Sequence, residues 1–306
     1  MNVLGTHEAT VSSVSFNKEM NMLATGSWDK TLRLWDSRGT SAKGTSAGSF
    51  EQTERVYRTD MVGTKLVVGL AGRLVHIYDV RKMDTPLQIR ESSLKYMTRA
   101  IACMLDGQGY ACASIEGRVS VEYFDPSPEV QSKRYAFKCH RRPSPTEKDV
   151  DQVWSVNSLA FHPTYGTFAS GGSDGTVCFW DHTAKKRLRQ TPRYREAVSA
   201  LAFNSTGNKL AVGIGYMWDE GEEGGKRSRP GVVVRDVGNE VKVCCTCLSC
   251  DLLGLMSRRR NHKHELFYYS LFYTFPIFGV SLIIIVWAIC VLSENQFLLR
   301  ALRWPW

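Results

Sequence analysis

Short runs of alternating apolar and polar residues recur along the first 242 residues, separated by turns rich in Gly, Asn, Asp and Ser. In "GSWDKTLRLWD" (26–36), a turn-like Trp-Asp-Lys leads into an alternating Thr-Leu-Arg-Leu-Trp. Such alternation is typical of β-strands, in which successive side chains point to opposite faces. No sustained helical periodicity accompanies these runs. The pattern therefore predicts an all-β body of short strands and tight turns.

The strand pattern is repeated along the chain. Residues 5–36 align with residues 151–181 without a gap over some thirty residues. The register holds at four pairs of positions: Phe16 and Phe161, Thr25 and Ser170, Asp29 and Asp174, Trp35 and Trp180. Three further segments follow the pattern loosely, ending at 79, 125 and 237. The unit length and the Trp-Asp ending resemble the WD-repeat β-propeller, so about five recognisable blades are predicted.

Each clear unit is predicted to contain a hydrogen-bonded tetrad. A histidine near its start, a Ser or Thr on the second strand, an aspartate in the turn and a tryptophan on the third strand can satisfy one another when buried. The first unit supplies His7, Thr25, Asp29 and Trp35. The second supplies Ser170, Asp174 and Trp180, with Gln152 where the alignment expects the histidine. This structural role explains the residues better than a catalytic triad, so we predict no enzyme, cofactor or metal site.

Charge and cysteine content narrow the class of partner and the compartment. The net charge of +9 divides into +6 for residues 1–242 and +3 for the rest. This excess suits an acidic or phosphorylated partner but is far below the charge density of a dedicated nucleic-acid binder, so no direct nucleic-acid partner is predicted. Cys103, Cys112, Cys139 and Cys178 are interpreted as buried free thiols of a reducing compartment. The first ten residues carry no secretory signal.

Four longer stretches resemble one known family: "TGSWDKTLRLWD" (25–36), "RESSLKYMTR" (90–99), "IEGRVSVEYFDPSPEVQSKRYAFKCHR" (115–141) and "GGSDGTVCFWD" (171–181). They are similar to the mitotic spindle-checkpoint WD-repeat family, the third of the budding-uninhibited-by-benzimidazoles proteins. Related mRNA-export factors share several elements, but "YFDPSPEVQSKRYAF" and "ESSLKY" look more like the checkpoint family. The resemblance runs from about residue 4 to about 241. Because the family propeller has seven blades, it implies that the chain begins after roughly two N-terminal blades.

The resemblance implies an adaptor of the nucleus, and of the kinetochore in mitosis. Such an adaptor binds GLEBS-type segments of checkpoint kinases or kinase-like proteins, and phosphorylated Met-Glu-Leu-Thr motifs of a kinetochore scaffold. Two alternatives stay open. One is an mRNA-export propeller that binds a nucleoporin, and the other is a membrane-anchored WD-repeat scaffold.

Several residues are candidates for these contacts. Trp28, in the turn before a strand, is expected to meet a bound peptide, and the alternative is that it caps its own blade. Arg141 is expected to pair with a GLEBS glutamate, because a guanidinium can bind a carboxylate through two nitrogens; the alternative is an ordinary loop arginine. Lys138 and Arg142 are weaker companions.

The basic run 185–195 is either a solvated face or a phosphate site, whose candidates are Lys185, Lys186, Arg187 and Arg193. Trp218, in the Gly-rich insert 215–231, is equally a contact or a bystander.

A compositional break at Val243 divides the chain into a partial propeller (1–242), a Cys-rich and basic linker (243–265), an apolar segment (266–292) and a short end (293–306). The apolar segment has 27 residues without a charge, enough for a membrane-spanning helix preceded by basic residues. Two interpretations of this tail stay open, a genuine membrane anchor and the product of an unintended reading frame. A zinc site at Cys247, Cys250, His262 and His264 is disfavoured by the short His-x-His spacing.

Overall fold

The computed structural model describes residues 4–36, 45–218, 221–238, 241, 266–277 and 280–291. Its first 241 residues form five antiparallel sheets arranged as propeller blades, each a consecutive meander with its first strand innermost. The predicted all-β propeller with about five recognisable blades is therefore confirmed.

The first two blades comprise β1 (Val11–Asn17), β2 (Met22–Ser27), β3 (Thr31–Asp36), β4 (Thr45–Glu51), β5 (Val56–Val62), β6 (Lys65–Leu70), β7 (Leu74–Asp79) and β8 (Gln88–Glu91). The third blade and a following hairpin comprise β9 (Thr98–Cys103), β10 (Gly109–Ser114), β11 (Arg118–Tyr123), β12 (Tyr135–Lys138), β13 (Arg141–Pro143) and β14 (Asp151–Val153). The last two blades comprise β15 (Val156–Phe161), β16 (Phe168–Gly172), β17 (Val177–Asp181), β18 (Lys186–Gln190), β19 (Val198–Phe203), β20 (Lys209–Ile214) and β21 (Gly231–Asp236). Short helices α1 (Pro128–Gln131) and α2 (Gly221–Arg227) lie in loops, and a 3-10 turn spans Ala71–Arg73.

The hydrophobic cores lie between neighbouring blades. Leu34 and Val68 belong to the core between blades one and two, and Ile77 and Ile101 to the core between blades two and three. Phe168 belongs to the core between blades three and four, and a fourth core joins blades four and five. A middle strand is thus covered on both faces, which explains why all six residues of β10 are buried. None of these four cores joins the fifth blade to the first.

The fifth blade has three strands in the part of the chain that the structure describes, whereas each of the other four has four. Its outermost described strand, β21, leaves Val232, Val233 and Val234 exposed by 47, 37 and 37 %. An apolar strand at a sheet edge is open to pairing with other chains. Strand β21 therefore offers an apolar edge to which a further strand could pair.

The strand topology gives the propeller two distinct rims. The upper rim, as we define it, is the edge that carries two kinds of connection: the turns between the second and third strands of each blade, and the links from one blade to the next. The lower rim carries the turns between first and second strands and those between third and fourth strands. A hydrogen bond from the Trp28 amide to the Thr10 carbonyl (2.9 Å) ties one such turn to the entry of β1 at the upper rim.

The half-buried carboxyl group of Asp60 lies between blades two and three, where the Cys103 amide donates to its Oδ2 at 2.7 Å. Burial raises the pKa of Asp60 from 3.8 to about 6, although hydrogen bonds from Cys103 and Met61 act in the opposite direction. Because the folded state holds this proton more tightly than the unfolded chain, the contribution to stability is complete below pH 3.8 and is lost as the pH rises through about 6.

Replacing Asp60 with asparagine is therefore expected to make the protein more stable than the wild type above pH 7, by about 1–2 kcal/mol. The difference should shrink as the pH falls toward 4, because the wild-type carboxyl then carries its proton. Urea unfolding of both proteins between pH 4 and 8 measures it. A difference that stays constant with pH would show that Asp60 does not titrate in this range.

The predicted membrane-spanning helix over 266–292 is wrong for the residues that the structure describes. Leu266–Ile277 and Val280–Val291, here β22 and β23, pair with each other as an antiparallel two-stranded sheet. The segment is rich in β-branched and aromatic residues and contains Pro276 near the reversal, and both features disfavour a continuous helix. No helix within the described ranges is long and apolar enough to cross a bilayer. The linker, with its four zinc candidates, and residues 292–306 lie outside those ranges.

Candidate functional site

The first blade brings its four predicted tetrad residues together. Trp35 Nε1 donates to Thr25 Oγ1 at 3.0 Å, and His7 Nε2 lies 2.9 Å from the same hydroxyl. The other imidazole nitrogen, Nδ1, lies 3.0 Å from Asp29 Oδ2. Burial alone would raise the pKa of Asp29, but hydrogen bonds from Thr31 and the Glu8 amide, with the charge of His7, hold it at about 2. Burial lowers the pKa of His7.

The fourth blade has a complete tetrad as well, and its histidine is His140 rather than Gln152. His140 Nε2 lies 2.8 Å from Ser170 Oγ, and Nδ1 lies 2.9 Å from Asp174 Oδ1. Trp180 Nε1 donates to the same serine at 2.9 Å. The gapless alignment was wrong at this position because the hairpin β13–β14 is inserted between the histidine and β15. Gln152 instead accepts a hydrogen bond from Arg142 Nε.

Trp28 lies on the upper rim with 46 % of its surface exposed. It occupies the turn between β2 and β3, next to Asp29 of the first tetrad. The Asp29 amide donates to Ser27 Oγ at 3.1 Å, so the turn that carries Trp28 is fixed by its neighbours. A half-exposed tryptophan on a fixed turn offers apolar area to a ligand at little entropic cost.

Arg141 also lies on the upper rim, directly after the tetrad histidine. Its Nη2 donates to the carbonyls of Glu116 and Gly117 at 3.2 and 3.3 Å, and Nη1 lies 3.7 Å from Asp151 Oδ2. The side chain is 19 % exposed, and its buried Nε has no hydrogen-bond partner. The guanidinium is thus oriented by two backbone carbonyls, and Nη1 is the nitrogen with the weakest partner within the protein, the carboxylate 3.7 Å away.

An apolar patch surrounds Arg141. Met97, Ile115 and Val153 are exposed by 37, 39 and 41 %, and the Ile115 amide donates to the Met97 carbonyl at 3.2 Å. Val153 packs against Gly117, whose φ of 63° and close backbone neighbours leave no space for a Cβ. We call Met97, Ile115 and Val153 the rim patch. The sequence analysis missed it, because single apolar residues in three separate turns carry no local pattern.

The basic run 185–195 is divided between the two rims. Lys185 lies in the lower-rim turn between β17 and β18, with Nζ 4.9 Å from the centre of the Tyr135 ring. Arg187 lies on the outer strand β18, where its Nη1 donates to Gln190 Oε1, and Arg193 follows that strand toward the upper rim. The four phosphate candidates are therefore not one cluster.

Two of the four phosphate candidates, Lys185 and Lys186, line a cavity of about 160 Å³ at the outer edges of blades three and four. Its lining consists of Tyr135, Phe137, Lys138, Trp180, Asp181, Lys185 and Lys186. The three lysines outnumber the carboxylate of Asp181, whose Oδ1 already accepts from the amides of Thr183 and Ala184, so the cavity is attractive to an anion.

Trp218 is 58 % exposed in the insert between β20 and β21, with its ring 6.1 Å from that of Tyr216. The insert is tied to the blade at its far end, where Ser228 Oγ and the Arg229 amide donate to the Glu196 carboxylate at 2.8 and 2.6 Å. Trp218 lies on the upper rim, in the connection between the second and third strands of the fifth blade, and its role as a contact stays a prediction.

The four cysteines of the body are free and buried, as predicted. Burial raises the pKa of the Cys112 and Cys178 thiols to about 11, which keeps them protonated at neutral pH. In the part of the chain that the structure describes, no group of acidic, His or Cys side chains is arranged to hold a metal ion.

Four-stranded blades with a His–Ser/Thr–Asp–Trp tetrad define a WD-repeat β-propeller. The family described as "WD domain, G-beta repeat" matches residues 1–36 and 151–181. The mitotic checkpoint protein BUB3.1 of Arabidopsis thaliana is 49 % identical over 242 residues, covering 79 % of this chain and 69 % of that protein. The mitotic checkpoint protein bub3 of Dictyostelium discoideum is 48 % identical over 222 residues, covering 72 % and 65 %.

The mRNA export factor GLE2 of Chaetomium thermophilum is 36 % identical over 243 residues, covering 78 % of this chain and 66 % of that protein. The chain thus spans about two thirds of the length of these relatives. It belongs to the Bub3 family of mitotic-checkpoint WD-repeat proteins, with the export factors as close relatives.

Proposed function

We propose that the chain is a non-enzymatic adaptor of the mitotic spindle checkpoint that binds GLEBS-type segments of a checkpoint kinase or kinase-like protein on its upper rim. The observation that carries this proposal is the position of Arg141 within the rim patch. A glutamate of the segment would accept from the guanidinium, and apolar side chains beside it would cover Met97, Ile115 and Val153. Trp28 gives a second apolar anchor on the same rim.

The contacts around Arg141 explain how a single arginine could orient the bound segment. Its position is already fixed by the carbonyls of Glu116 and Gly117, so binding restricts few further rotamers. The nearby carboxylate of Asp151 is 46 % exposed and 3.7 Å away. A peptide carboxylate with better geometry would therefore compete with a weak, solvent-screened pair.

Replacing Trp28 with alanine is expected to weaken binding of a synthetic GLEBS-type segment about tenfold or more, because an aromatic anchor is lost. Isothermal titration calorimetry measures the loss. Leu105→Ala is the matched control, since Leu105 is 57 % exposed on the lower rim. Equal losses for the two variants, or none for Trp28→Ala, would contradict the assignment of the peptide to the upper rim.

We also propose that phosphorylated kinetochore motifs bind at the cavity that contains Lys185 and Lys186. Phosphothreonine carries nearly two negative charges at neutral pH, and the cavity combines lysine ammonium groups with aromatic walls that a threonine methyl group can contact. These proposals place the protein in the nucleus and, in mitosis, at kinetochores. The higher identity to the checkpoint proteins than to the export factor supports this role over mRNA export.

The double variant Lys185→Ala/Lys186→Ala is expected to bind a phosphothreonine peptide at least tenfold more weakly at about 50 mM salt. The unphosphorylated GLEBS-type segment should bind as it does to the wild type, since it uses the other rim. Arg193→Ala is the control from the same basic run. A phosphopeptide loss confined to Arg193→Ala would move the phosphate site to the upper rim.

A further inference from the structure

The hairpin loop that follows Arg141 contains a serine in an unusual setting. The sequence "RRPSPTEK" (141–148) places two arginines three and two positions before Ser144 and a proline after it. Ser144 is half-buried at the end of β13, and every residue from 145 to 150 is exposed. The turn is thus accessible, and its positive charge is concentrated at the two arginines before Ser144, because Glu147 and Asp149 offset Lys148 beyond it. The proposed peptide site uses only Arg141 of this segment.

The backbone around Ser144 already presents donors to its oxygen. Ser144 Oγ accepts from the amides of Thr146 and Glu147 at 3.4 and 3.3 Å. Two successive N–H groups pointing at one oxygen form a concavity that favours an anion. Because strand side chains repeat with a period of two, Arg142 and Ser144 lie on the same face of the hairpin.

From this geometry we infer that Ser144 is a phosphorylation site for an arginine-directed serine kinase, and that the phosphate closes the upper rim to acidic peptides. The second half of this inference rests on the proposed function. In the reaction the Ser144 Oγ–P bond forms, the bond between the γ-phosphorus and the β,γ-bridging oxygen of ATP breaks, ADP leaves, and the hydroxyl proton passes to the base of the kinase.

The phosphate would act on both arginines. Arg142 now donates to Gln152 and lies 4.9 Å from the centre of the Trp154 ring, and a phosphate two residues away offers it a stronger, charge-assisted partner. Arg141 lies on the other face of the same short strand, three residues from Ser144; this is about 10 Å along a strand, comparable to the Debye length at 0.1 M salt. A dianion there opposes the approach of a peptide carboxylate.

The chain supplies its own matched control. Ser127 is also half-buried and also lies between two prolines, but Phe124 and Asp125 occupy the positions that the arginines hold before Ser144. We expect an arginine-directed kinase with Mg-ATP to phosphorylate the full chain at Ser144 and to leave Ser127 unmodified, as mapped by tandem mass spectrometry. Ser144→Ala should remove this phosphate. Modification of Ser127 in place of Ser144, or of neither serine, would overturn the assignment.

The effect on binding is measured separately with the phosphorylated chain, its phosphatase-treated form and kinase-treated Ser144→Ala. A GLEBS-type segment should bind the phosphorylated chain about tenfold more weakly than the other two. If all three bind equally, the phosphate does not control the rim. If the unmodified chain fails to bind the segment, the proposed function is refuted, whereas the mapping experiment still decides the modification site.

Discussion

Reversing the charge of Arg141 is expected to weaken the binding of a GLEBS-type segment at least thirtyfold, which corresponds to about 2 kcal/mol. The substitution Arg141→Glu removes the donor that would meet the peptide glutamate and puts a second carboxylate close to it. It also leaves the carbonyls of Glu116 and Gly117 without the donor that now bonds both. The effect should appear mainly as faster dissociation, measurable by surface plasmon resonance.

Two further variants separate charge from geometry at this position. Arg141→Lys should lose part of the affinity, because an ammonium keeps the charge but not the planar pair of donors. Arg142→Glu lies on the opposite face of the same strand and should have a smaller effect. If Arg142→Glu weakens binding as much as Arg141→Glu, the segment senses only the overall charge of the rim.

Replacing His140 with alanine is expected to destabilise the protein by about 3 kcal/mol. The imidazole is fully buried and links the hydroxyl of Ser170 to the carboxylate of Asp174, so its removal takes one hydrogen-bond partner from each of two buried or half-buried polar groups. It also leaves a cavity beside Gly172, whose Cα lies against the ring. Urea unfolding followed by circular dichroism measures the loss.

The equivalent change in the first blade serves as the comparison. His7→Ala breaks the corresponding hydrogen bonds to Thr25 and Asp29, but most residues beside His7, from 4 to 9, are exposed, so this segment has few buried contacts and is expected to open locally more easily than the one around His140. We therefore expect a loss of about 1 kcal/mol, smaller than that of His140→Ala. Equal losses would show that the initial segment unfolds together with the blades.

Much of the fold follows from local pattern. Alternation with a period of two, interrupted by Gly and Asp turns, was enough to predict strands, and the repeated Trp-Asp ending was enough to predict blades. Trp35 and Trp180 occupy equivalent places because each must donate to a buried hydroxyl of its own blade. Register within a blade is specified strongly, since a shift by one residue would turn its buried face outward.

The site was less predictable because its parts come from separate turns. Trp28 and Arg141 were candidates from the sequence and remain predictions as peptide contacts, whereas the alignment put Gln152 in the place of His140 because the hairpin β13–β14 displaced it. The rim patch and the division of the basic run depend on which turns the topology brings to which rim. A linear sequence shows Lys185 and Arg193 eight positions apart, whereas the strand β18 between them carries the chain from one rim toward the other.

The apolar tail shows a different limit of sequence reasoning. Hydropathy and length alone predicted a helix over 266–292, but neither distinguishes a helix from two long strands. The strand propensity of the residues agrees with the observed structure, because Ile, Val, Phe and Tyr dominate the segment and favour strands.

Hydrogen–deuterium exchange with and without a synthetic GLEBS-type segment tests the central claim most directly. We predict slower exchange in three regions of the upper rim: the turn of Trp28, the turn from Ile115 to Gly117, and the strand that begins at Arg141. Exchange in the lower-rim turn of Lys185 should stay unchanged. Protection confined to the lower rim, or to the exposed edge strand β21, would contradict the proposed mode of binding.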